Sequence, residues 1–363
     1  MPLEFVSAVC RLPLYPVADA CVRAQPLTLL ASNESPSPPS LAVVAAVDAA
    51  LAHANRYPDP TAMRLRTALS GHSGVPVEQI AVGNGSSDLL LALGAALLDE
   101  DAEFVYSWPS FSLYPHLPAA AGARGIRVPL DARACHDLQA MAEAVTSATR
   151  LVVVCNPNNP TSTALPADEI EAFIAQMPSS TCVLIDEAYC EFNGLHDPTA
   201  ARVWLERYPN LVLLRTFSKV YSLAGLRCGY ALCGHAKTVE VLTRLRQPFA
   251  CSALAQAAAV AALTEDISWR VRAVERARTQ MSEGLEVLGI VPVPSRTNFS
   301  WIELDGVGGA TADDVGVVAA LADLGVIVRS GSALGQARAL RVTYGTVDEN
   351  VRFLEALRRV LRA

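Results

Sequence analysis

The sequence predicts an α/β fold in which a mostly parallel central sheet is flanked by helices and followed by a smaller α+β domain. Between about residues 100 and 220, short β-rich runs alternate with longer helical patterns, which is typical of parallel strands joined by helices. After about Thr264 this alternation ends and a long charged helical pattern begins. The length of 363 residues also favours two domains, because a single core stops growing at roughly 250–300 residues.

Five apolar runs are the predicted strands of the central sheet. They are Glu103–Ser107, Ile126–Pro129, Leu151–Cys155, Cys182–Asp186 and Leu211–Thr216. The helical patterns before and between them are Leu41–His53, Ser87–Leu98, Asp137–Thr146 and Ala167–Met177. Ligands of open α/β sheets bind beyond the carboxyl ends of the strands. The residues that directly follow these runs are therefore the candidate site residues.

The C-terminal part of the chain combines helices and strands in a different pattern. Its predicted elements are the helix Ile267–Leu288, the strands Thr297–Glu303 and Val326–Arg329, and the helix Asp348–Leu361. We therefore predict a large domain over residues 31–263 and a small α+β domain over residues 264–363. Residues 1–30, which are rich in proline and lack periodicity, are predicted to pack with the small domain.

Charge and hydropathy exclude several classes of protein. The formal net charge of −7 argues against a nucleic-acid ligand, which requires an excess of cations. The longest apolar stretches, such as Leu89–Leu98, are shorter than the roughly 18–20 residues that cross a bilayer. The N-terminal residues show no basic segment followed by an apolar one. We expect a cytoplasmic protein that binds neither nucleic acid nor membrane.

The cysteines and histidines do not predict a metal site. The nine cysteines contain no Cys-x-x-Cys pair, and the six histidines are dispersed along the chain. We therefore interpret the cysteines as small buried side chains in a reducing compartment. Neither residue type shows the spacing of a metal-ligand set.

Polar residues of distinct chemistry follow three of the predicted strands. The segment Asn156–Thr161 carries two prolines that end the ladder of the preceding strand and force a polar loop. Asp186 ends an almost purely apolar strand, and a buried carboxylate needs a cationic partner. The next strand leads into Ser218 and Lys219, with Arg227 eight residues after the lysine. This edge of the sheet can therefore serve both an electrophile and an anion.

Pyridoxal phosphate would use all of these groups. It needs a lysine for a Schiff base, a carboxylate that keeps its pyridine nitrogen protonated, and donors for its phosphate. The motifs Asn156–Thr161, Asp186–Tyr189 and Thr216–Lys219, with Arg227, resemble the fold-type I aminotransferases of class I and II. The motifs that resemble the histidinol-phosphate aminotransferase branch are Asn55–Asp59, Gly83–Asp88, Pro248-Phe249 with Ala255-Gln256, and Leu340–Val342 with Gly345-Thr346. The resemblance extends from about Leu29 to the C-terminus and implies this fold and this cofactor.

The resemblance implies four residues around the reacting part of the cofactor. Lys219 would form the Schiff base and then move a proton between the substrate and the cofactor. Asp186 would pair with the pyridine nitrogen and keep the ring electron-poor. Asn159 and Tyr189 would donate hydrogen bonds to the cofactor's phenolic oxygen. The catalytic set is thus Lys219, Asp186 and Tyr189.

A second group of residues is implied for the phosphate and the ring. The members of the phosphate site are Gly85, Ser86, Ser87, Thr216, Ser218 and Arg227. The first three precede an apolar helix, whose free N–H groups and dipole attract an anion. Phe111 resembles the aromatic residue that stacks on the pyridine ring, although Trp108 lies close by in the sequence. Tyr57 would reach the phosphate of the neighbouring subunit, which implies a homodimer with shared sites.

The substrate residues combine matches with departures from the family pattern. Arg341 matches the arginine that holds the substrate carboxylate, Arg329 matches a second substrate arginine, and Asn33 belongs to the segment that closes over the substrate. The departures are Ser37 in place of an aromatic residue, Ala250–Ser252 in place of Asn-x-Asn, and Ser162 in place of glycine. The last change predicts a displaced backbone beside Asn159, because glycine adopts positive φ more easily than serine.

These observations predict an aminotransferase with an altered substrate pocket. It would move an amino group in two half-reactions between an amino acid or amine and a 2-oxo acid or aldehyde. The alternative is an enzyme of the same fold and cofactor with other chemistry, such as a decarboxylase or an enzyme of cyclisation or replacement in specialised metabolism. The sequence does not distinguish them, because the bond that breaks depends on how the substrate is oriented against the ring.

Overall fold

The structure, a computed structural model, describes residues 3, 7–10, 27–194, 201–305 and 313–362. Its strands are β1 (Thr28–Leu29), β2 (Ile80–Gly83), β3 (Glu103–Trp108), β4 (Arg124–Pro129), β5 (Thr149–Cys155), β6 (Cys182–Asp186), β7 (Leu211–Thr216), β8 (Gly229–Cys233), β9 (Phe299–Glu303), β10 (Val326–Ile327), β11 (Arg329–Ser330) and β12 (Ala339–Thr343). Its helices are α1 (Ser7–Cys10), α2 (Leu41–Leu51), α3 (Met63–Ser73), α4 (Ser86–Leu97), α5 (His116–Ala121), α6 (Leu138–Glu143), α7 (Ala167–Gln176), α8 (Ala201–Arg207), α9 (Ala236–Leu245), α10 (Ala253–Ala262), α11 (Ser268–Val287), α12 (Asp314–Asp323) and α13 (Val347–Arg362).

The large sheet has seven strands in the order β2-β8-β7-β6-β5-β3-β4. Strand β8 runs antiparallel to both of its neighbours, and the other neighbouring pairs are parallel. This confirms the predicted mostly parallel α/β sheet and the five predicted strands. Strands β2 and β8 were not predicted. Asp186 pairs in register with Cys155 of β5 and Leu214 of β7, so it ends an interior strand.

The central strands are apolar throughout because both faces of the sheet are covered. Successive side chains of a strand point to opposite faces. Val152 and Val154 of β5 therefore pack in one core together with residues of α7. Leu151 and Val153 of the same strand pack in the other core together with residues of α4. Such two-sided burial is typical of parallel strands.

The C-terminal part builds two smaller sheets over a core of its own. Strands β11, β12 and β9 form an antiparallel sheet, and β1 pairs in parallel with β10. Their core contains Met281 of α11, Leu321 of α12, Phe353 of α13 and Leu340 of β12. Thr28 and Leu29, which belong to the predicted N-terminal segment, join this region through β1. The boundaries predicted near residues 30 and 263 stay predictions, and most of residues 1–30 lie outside the described residues.

One predicted strand is wrong as a single element. The run Val326–Arg329 divides into β10, where Ile327 pairs with Leu29, and β11, where Arg329 pairs with Arg341. An apolar run shows that a segment is extended but not which strands it pairs with. The other predicted elements differ from the structure only at their ends. Asp137, for example, precedes α6 as its N-cap, with its side chain accepting a hydrogen bond from Ala140 N.

Within the described ranges, none of the helices combines the length and the apolar character that a membrane span requires. The same residues contain no group of three or more His, Cys, Asp or Glu side chains arranged to hold a metal ion.

Candidate active site

A cavity of about 540 Å³ opens at the carboxyl ends of β5, β6 and β7. The structure brings together here all the predicted site residues except Gly85 and Tyr57. They are Asn33, Ser86, Ser87, Phe111, Asn159, Asp186, Tyr189, Thr216, Ser218, Lys219, Arg227, Arg329 and Arg341. Residues that are far apart in the sequence thus border one space, as expected for the ligand site of an open α/β sheet.

Lys219 lies in the turn that follows β7 and extends its amine toward the N-terminal segment. Its Nζ donates hydrogen bonds to the backbone oxygens of Ser32 (3.2 Å) and Asn33 (3.0 Å). Desolvation, followed by the positive charge of Arg341, lowers the pKa of Lys219 to about 7. A large fraction of this amine is therefore neutral near pH 7, which is the form that attacks a carbonyl.

Asp186 ends β6, and the residue is only 4% exposed. Tyr114 donates a hydrogen bond from its hydroxyl to Asp186 Oδ2 at 3.0 Å, and the backbone N–H of Ala188 lies 3.3 Å from Oδ1. Burial nevertheless raises the pKa of Asp186 to about 6, because the two hydrogen bonds compensate only part of the desolvation. A cationic N–H beside this carboxylate would restore its charged form.

Tyr114 was not predicted as a site residue. It is fully buried and follows a loop rather than a strand end. Its position against Asp186 depends on tertiary packing, for which the sequence contains no signal.

Asn33 links the N-terminal segment to the residues around Lys219. It adopts a φ of +54°, and its Nδ2 donates to the hydroxyl of Tyr189 at 2.9 Å. Its backbone N–H donates to Thr343 Oγ1 of β12 at 2.9 Å. Arg341, also on β12, donates to Asn159 Oδ1 at 2.7 Å and to the backbone oxygen of Ala31 at 2.6 Å. The N-terminal segment is therefore held against both the large and the small sheets.

The other end of the cavity contains the residues that the sequence predicts for the phosphate site. Helix α4 begins at Ser86, and Gly85 precedes it with a φ of +83°. A Cβ on Gly85 would lie 2.4 Å from Nη2 of Arg227, and one on Gly229 would lie 2.3 Å from the backbone N of Ser86. Gly85 thus leaves room for the guanidinium beside the start of α4, and Gly229 allows β8 to lie against the backbone of Ser86. Gly85 itself lies outside the cavity lining.

Hydroxyl groups complete this end of the cavity. Thr216 Oγ1 donates to Ser218 Oγ at 2.9 Å and accepts from the backbone N–H of Ser218 at 3.0 Å. Arg227 Nη1 lies 3.5 Å from Ser218 Oγ. Because first-turn N–H groups, hydroxyls and a guanidinium converge, a phosphate dianion placed here would meet several donors.

A buried ion pair that was not predicted lies directly behind the site. Arg215 Nε donates to Glu187 Oε2 at 2.8 Å, and both side chains are almost fully buried. Glu187 follows Asp186, and Arg215 precedes Thr216. The pair therefore joins the ends of β6 and β7 at the positions where the site residues begin. The sequence does contain a signal for this pair, because a charged residue adjoins each of the site residues Asp186 and Thr216.

The three aromatic residues considered for the site, Phe111, Trp108 and Tyr57, lie in different places. Phe111 borders the cavity and packs edge-on against Tyr114, with ring centroids 5.6 Å apart. Trp108 lies outside the lining and stacks with the guanidinium of Arg127 at 5.3 Å. Tyr57 is 81% exposed and stacks on Phe249, with centroids 4.4 Å apart. Tyr57 therefore does not border the cavity of its own chain.

The departures from the family pattern also have defined positions. Ser162 adopts a φ of +63°, which is the conformation that glycine favours, and its backbone N–H donates to Asn158 O at 2.9 Å. Asn159 still borders the cavity. Cys251 is buried, with its sulfur 3.8 Å from that of Cys228. Ser37 borders a second cavity rather than the one around Asp186.

Pyridoxal phosphate fits this set of residues. The glycine-lined cradle at α4 and Arg227 suits its phosphate. The buried carboxylate of Asp186 suits a protonated ring nitrogen, and Lys219 offers an amine for its carbonyl. Phe111 supplies an apolar wall beside them. The described residues therefore supply a partner for each functional group of the cofactor.

Comparison with known proteins agrees with this geometry. The family described as Aminotransferase class I and II matches residues 25–357. Histidinol-phosphate aminotransferase 1 of Nitrosococcus oceani is 42% identical over 334 residues, which cover 92% of this chain and 88% of that protein. The aromatic amino acid aminotransferase of Cutibacterium acnes is 40% identical over 357 residues and 97% of each chain.

Solved structures show the same architecture. The histidinol-phosphate aminotransferase of Sinorhizobium meliloti, in complex with pyridoxal-5'-phosphate, superposes with a TM-score of 0.87 at 28% identity. The match covers 99% of this chain and 98% of that one. A tetra mutant of Thermus thermophilus aspartate aminotransferase gives a TM-score of 0.83 at 25% identity, over 98% and 99% of the two chains. The chain therefore belongs to the class I and II aminotransferases, the pyridoxal-phosphate-dependent enzymes of fold type I that transfer amino groups.

Proposed function

We propose that this aminotransferase exchanges the amino group between a dicarboxylic amino acid and an amine that carries a phosphate. The observation that supports this substrate class is a pair of arginines. Arg329 of β11 and Arg341 of β12 are direct cross-strand partners, both are buried, and both border the cavity that contains Lys219. Like charges opposite each other repel, so a substrate with two negative charges is favoured there.

Both proposed substrates satisfy this charge requirement. Glutamate and 2-oxoglutarate carry two carboxylates, and a phosphate monoester carries close to two charges at neutral pH. One pair of arginines can thus serve both half-reactions. The names of the relatives suggest two candidate substrates. Histidinol phosphate is an amine that carries a phosphate, whereas aromatic amino acids such as phenylalanine carry a single carboxylate. The paired arginines favour the former.

Each catalytic residue has a task that its surroundings support. When bound, pyridoxal phosphate supplies a carbonyl for Schiff-base formation and an electron-poor ring that accepts the electron pair of the broken bond. Lys219 Nζ, with its lowered pKa, can take the proton from the substrate α-carbon. Asp186 holds a proton on the ring nitrogen through its buried carboxylate. Asn159 and Tyr189 position the ring oxygen, with Tyr189 itself held by Asn33.

The test is a half-reaction without acceptor. The holoenzyme is mixed separately with glutamate, histidinol phosphate and phenylalanine, and the visible band of the cofactor is followed. We expect glutamate and histidinol phosphate to convert the cofactor to its amine form at least about tenfold more efficiently than phenylalanine, since hydrogen bonds to charged groups contribute roughly 1.5–3 kcal/mol. Equal efficiency for phenylalanine contradicts the proposed substrate class. Release of carbon dioxide contradicts transamination itself.

One variant and its control test whether Arg329 binds the second negative charge of the substrate. Arg329→Met should reduce the efficiency of glutamate and histidinol phosphate while leaving phenylalanine nearly unchanged. Arg338→Met is the matched control, because this arginine is partly exposed and pairs with Asp305 on the surface. An equal loss for all three substrates in Arg329→Met would show that Arg329 supports the fold rather than the second charge.

We further propose that the enzyme is a homodimer with shared active sites. Its α2 helix exposes Leu41, Val44 and Leu51, and Tyr57 and Phe249 are also exposed. Apolar side chains presented to solvent along one helix favour an interaction surface. Tyr57 does not line the cavity of its own chain, which agrees with a role in the partner's site. The cytoplasmic location stays a prediction from the sequence.

A further inference from the structure

A second cavity, of about 410 Å³, lies beside the active site. We name residues 33–39, which cross from the active site toward α2, the strap. The cavity lies between the strap, helix α11 and the segment that follows β12. Among the described residues, Lys219 alone borders both cavities. The second cavity is large enough for a small organic ligand and has no part in the proposed transamination.

The electrostatics of this cavity favour an anion. Its described lining residues include two arginines, Arg270 and Arg276, and no aspartate or glutamate. Clefts lined by one sign of charge concentrate ligands of the opposite sign. The rest of the wall is largely apolar, with Phe192, Val220, Val274, Ala277 and Tyr344 among its members. A ligand that suits both features is a carboxylate with an apolar body.

Arg270 provides a donor for such a carboxylate. Its side chain is only 4% exposed, and it donates from Nη1 to Ser222 Oγ at 2.6 Å and from Nη2 to Pro38 O at 3.1 Å. Its Nε is buried and has no hydrogen-bond partner among the described residues. A carboxylate can approach the guanidinium side-on and bond Nε–H together with the second N–H of Nη2. The bonds to Ser222 and Pro38 would then remain.

Asn298 provides an acceptor on the same cavity. It is 2% exposed, and its Nδ2 donates to the backbone oxygen of Asn33 at 3.1 Å. Its Oδ1 is buried and has no partner among the described residues. Leaving a buried donor and a buried acceptor unsatisfied costs free energy. A ligand that carries both an anion and a hydrogen-bond donor removes both costs.

We propose that this cavity is a second ligand site for an amphipathic carboxylate, with an aromatic or branched aliphatic body and one hydroxyl or amino donor. The carboxylate binds Arg270 and the donor binds Asn298 Oδ1. Arg270 also holds the strap through Pro38 and the turn after Lys219 through Ser222. The bound ligand therefore stabilises the two segments that contact the catalytic lysine. This site does not depend on the substrate class proposed above.

The test uses a probe that cannot be transaminated. We choose 3-(4-hydroxyphenyl)propionate, which has a carboxylate, an aromatic body and a hydroxyl donor but no amino group. Its binding to the holoenzyme is measured by isothermal titration calorimetry in saturating succinate, a dicarboxylate that occupies the active site. We expect binding to persist in succinate, and Arg270→Met to weaken it at least about tenfold, since charge-assisted hydrogen bonds are the strong ones.

Three further variants complete the test. Arg272→Met is the matched control, because Arg272 lies on the same helix, is exposed and does not border the cavity. Ala277→Phe fills the cavity without removing a charge and should abolish probe binding, so it decides the matter if Arg270→Met does not fold. Failure to bind the probe in succinate overturns the proposal, as does binding that neither Arg270→Met nor Ala277→Phe weakens. Arg341→Met distinguishes the sites, since it should impair succinate binding and leave probe binding intact.

Discussion

The proposed partner of the cofactor's ring nitrogen, Asp186, is a buried carboxylate. It lies at the end of an interior strand and is almost fully buried, and the hydrogen bonds described for its carboxylate come from a tyrosine hydroxyl and a backbone N–H. The cost of burying this charge falls when a protonated ring nitrogen lies beside it. Part of the binding free energy of the cofactor therefore comes from removing a penalty that the cofactor-free protein carries.

This penalty predicts a pH dependence for the cofactor-free protein. The folded carboxyl has a pKa of about 6 and the unfolded one a pKa of 3.8, so the folded state binds more protons between these values. The free energy of unfolding should therefore fall as pH rises from about 4 to about 6, by about 3 kcal/mol from this group. Urea unfolding of the cofactor-free wild type and Asp186→Asn at several pH values measures the difference. Identical slopes for the two proteins would contradict the raised pKa.

Lys219 can be identified without a mutation, because the chain contains only two lysines, Lys219 and Lys237. Borohydride reduction of the holoenzyme should fix the cofactor to the peptide that contains Lys219, since this amine borders the cavity and its pKa is lowered to about 7. Lys237 is an internal control, because it is exposed and paired with Glu240. Peptide mass mapping measures the result. Label on Lys237 alone would overturn the assignment of the active site.

Three of the residues that sequence reasoning placed in the cavity share one property. Asn159, Asp186 and Lys219 follow directly from strand ends, so their location depends on local pattern and on the geometry of a parallel sheet. Tyr114 had no such signal, because its contact with Asp186 spans 72 residues. Its ring packs against Phe104 and Tyr106 of β3, and its hydroxyl contacts Asp186 at the end of β6. Long-range packing of this kind is not encoded in any single local pattern.

At the scale of elements, the junction between β2 and α4 forms part of the proposed phosphate site. Gly85→Ala should weaken cofactor binding at least about tenfold, because the residue has a φ of +83° and its Cβ would lie 2.4 Å from Arg227. Gly71→Ala is the control, since Gly71 lies in α3 with no atom near its Cβ position, and it should be neutral or slightly stabilising. Equilibrium dialysis of the cofactor measures both variants. Unchanged affinity in Gly85→Ala would contradict the proposed phosphate site.

In the large sheet, the two strands that the sequence did not reveal are antiparallel to each other. Strand β2 has four residues, and β8 follows the loop of Arg227 and runs against the direction of its neighbours. Strand β8 follows β7 without the long helical pattern that marks a parallel crossover, and β2 pairs only with β8 at the edge of the sheet. Both matter to the site, because β2 leads into α4 and β8 begins with Gly229 at the backbone of Ser86.

At the scale of the whole molecule, the position of Tyr57 is the strongest argument for assembly. A polar aromatic residue that is 81% exposed and stacked on Phe249 contributes nothing to the cavity of its own chain. Helix α2 exposes apolar side chains, which favour a surface that a second copy of the chain could cover. If the two copies exchange Tyr57, then each active site contains residues from both chains and the isolated monomer is incomplete.

Shared sites predict that two inactive variants restore each other. Lys219→Ala lacks the amine in its own site, and Tyr57→Ala lacks the ring that it gives to its partner. In a mixed dimer, the site with an intact Lys219 receives Tyr57 from the other chain and is complete. Equal mixing after reversible dissociation should therefore recover about a quarter of the wild-type sites, if subunits pair at random. Activity and the cofactor's visible band measure this recovery, with each variant mixed with itself as the control. If subunit exchange occurs without recovery, Tyr57 does not serve the partner's site, and its exposure then reflects only the packing of its own chain.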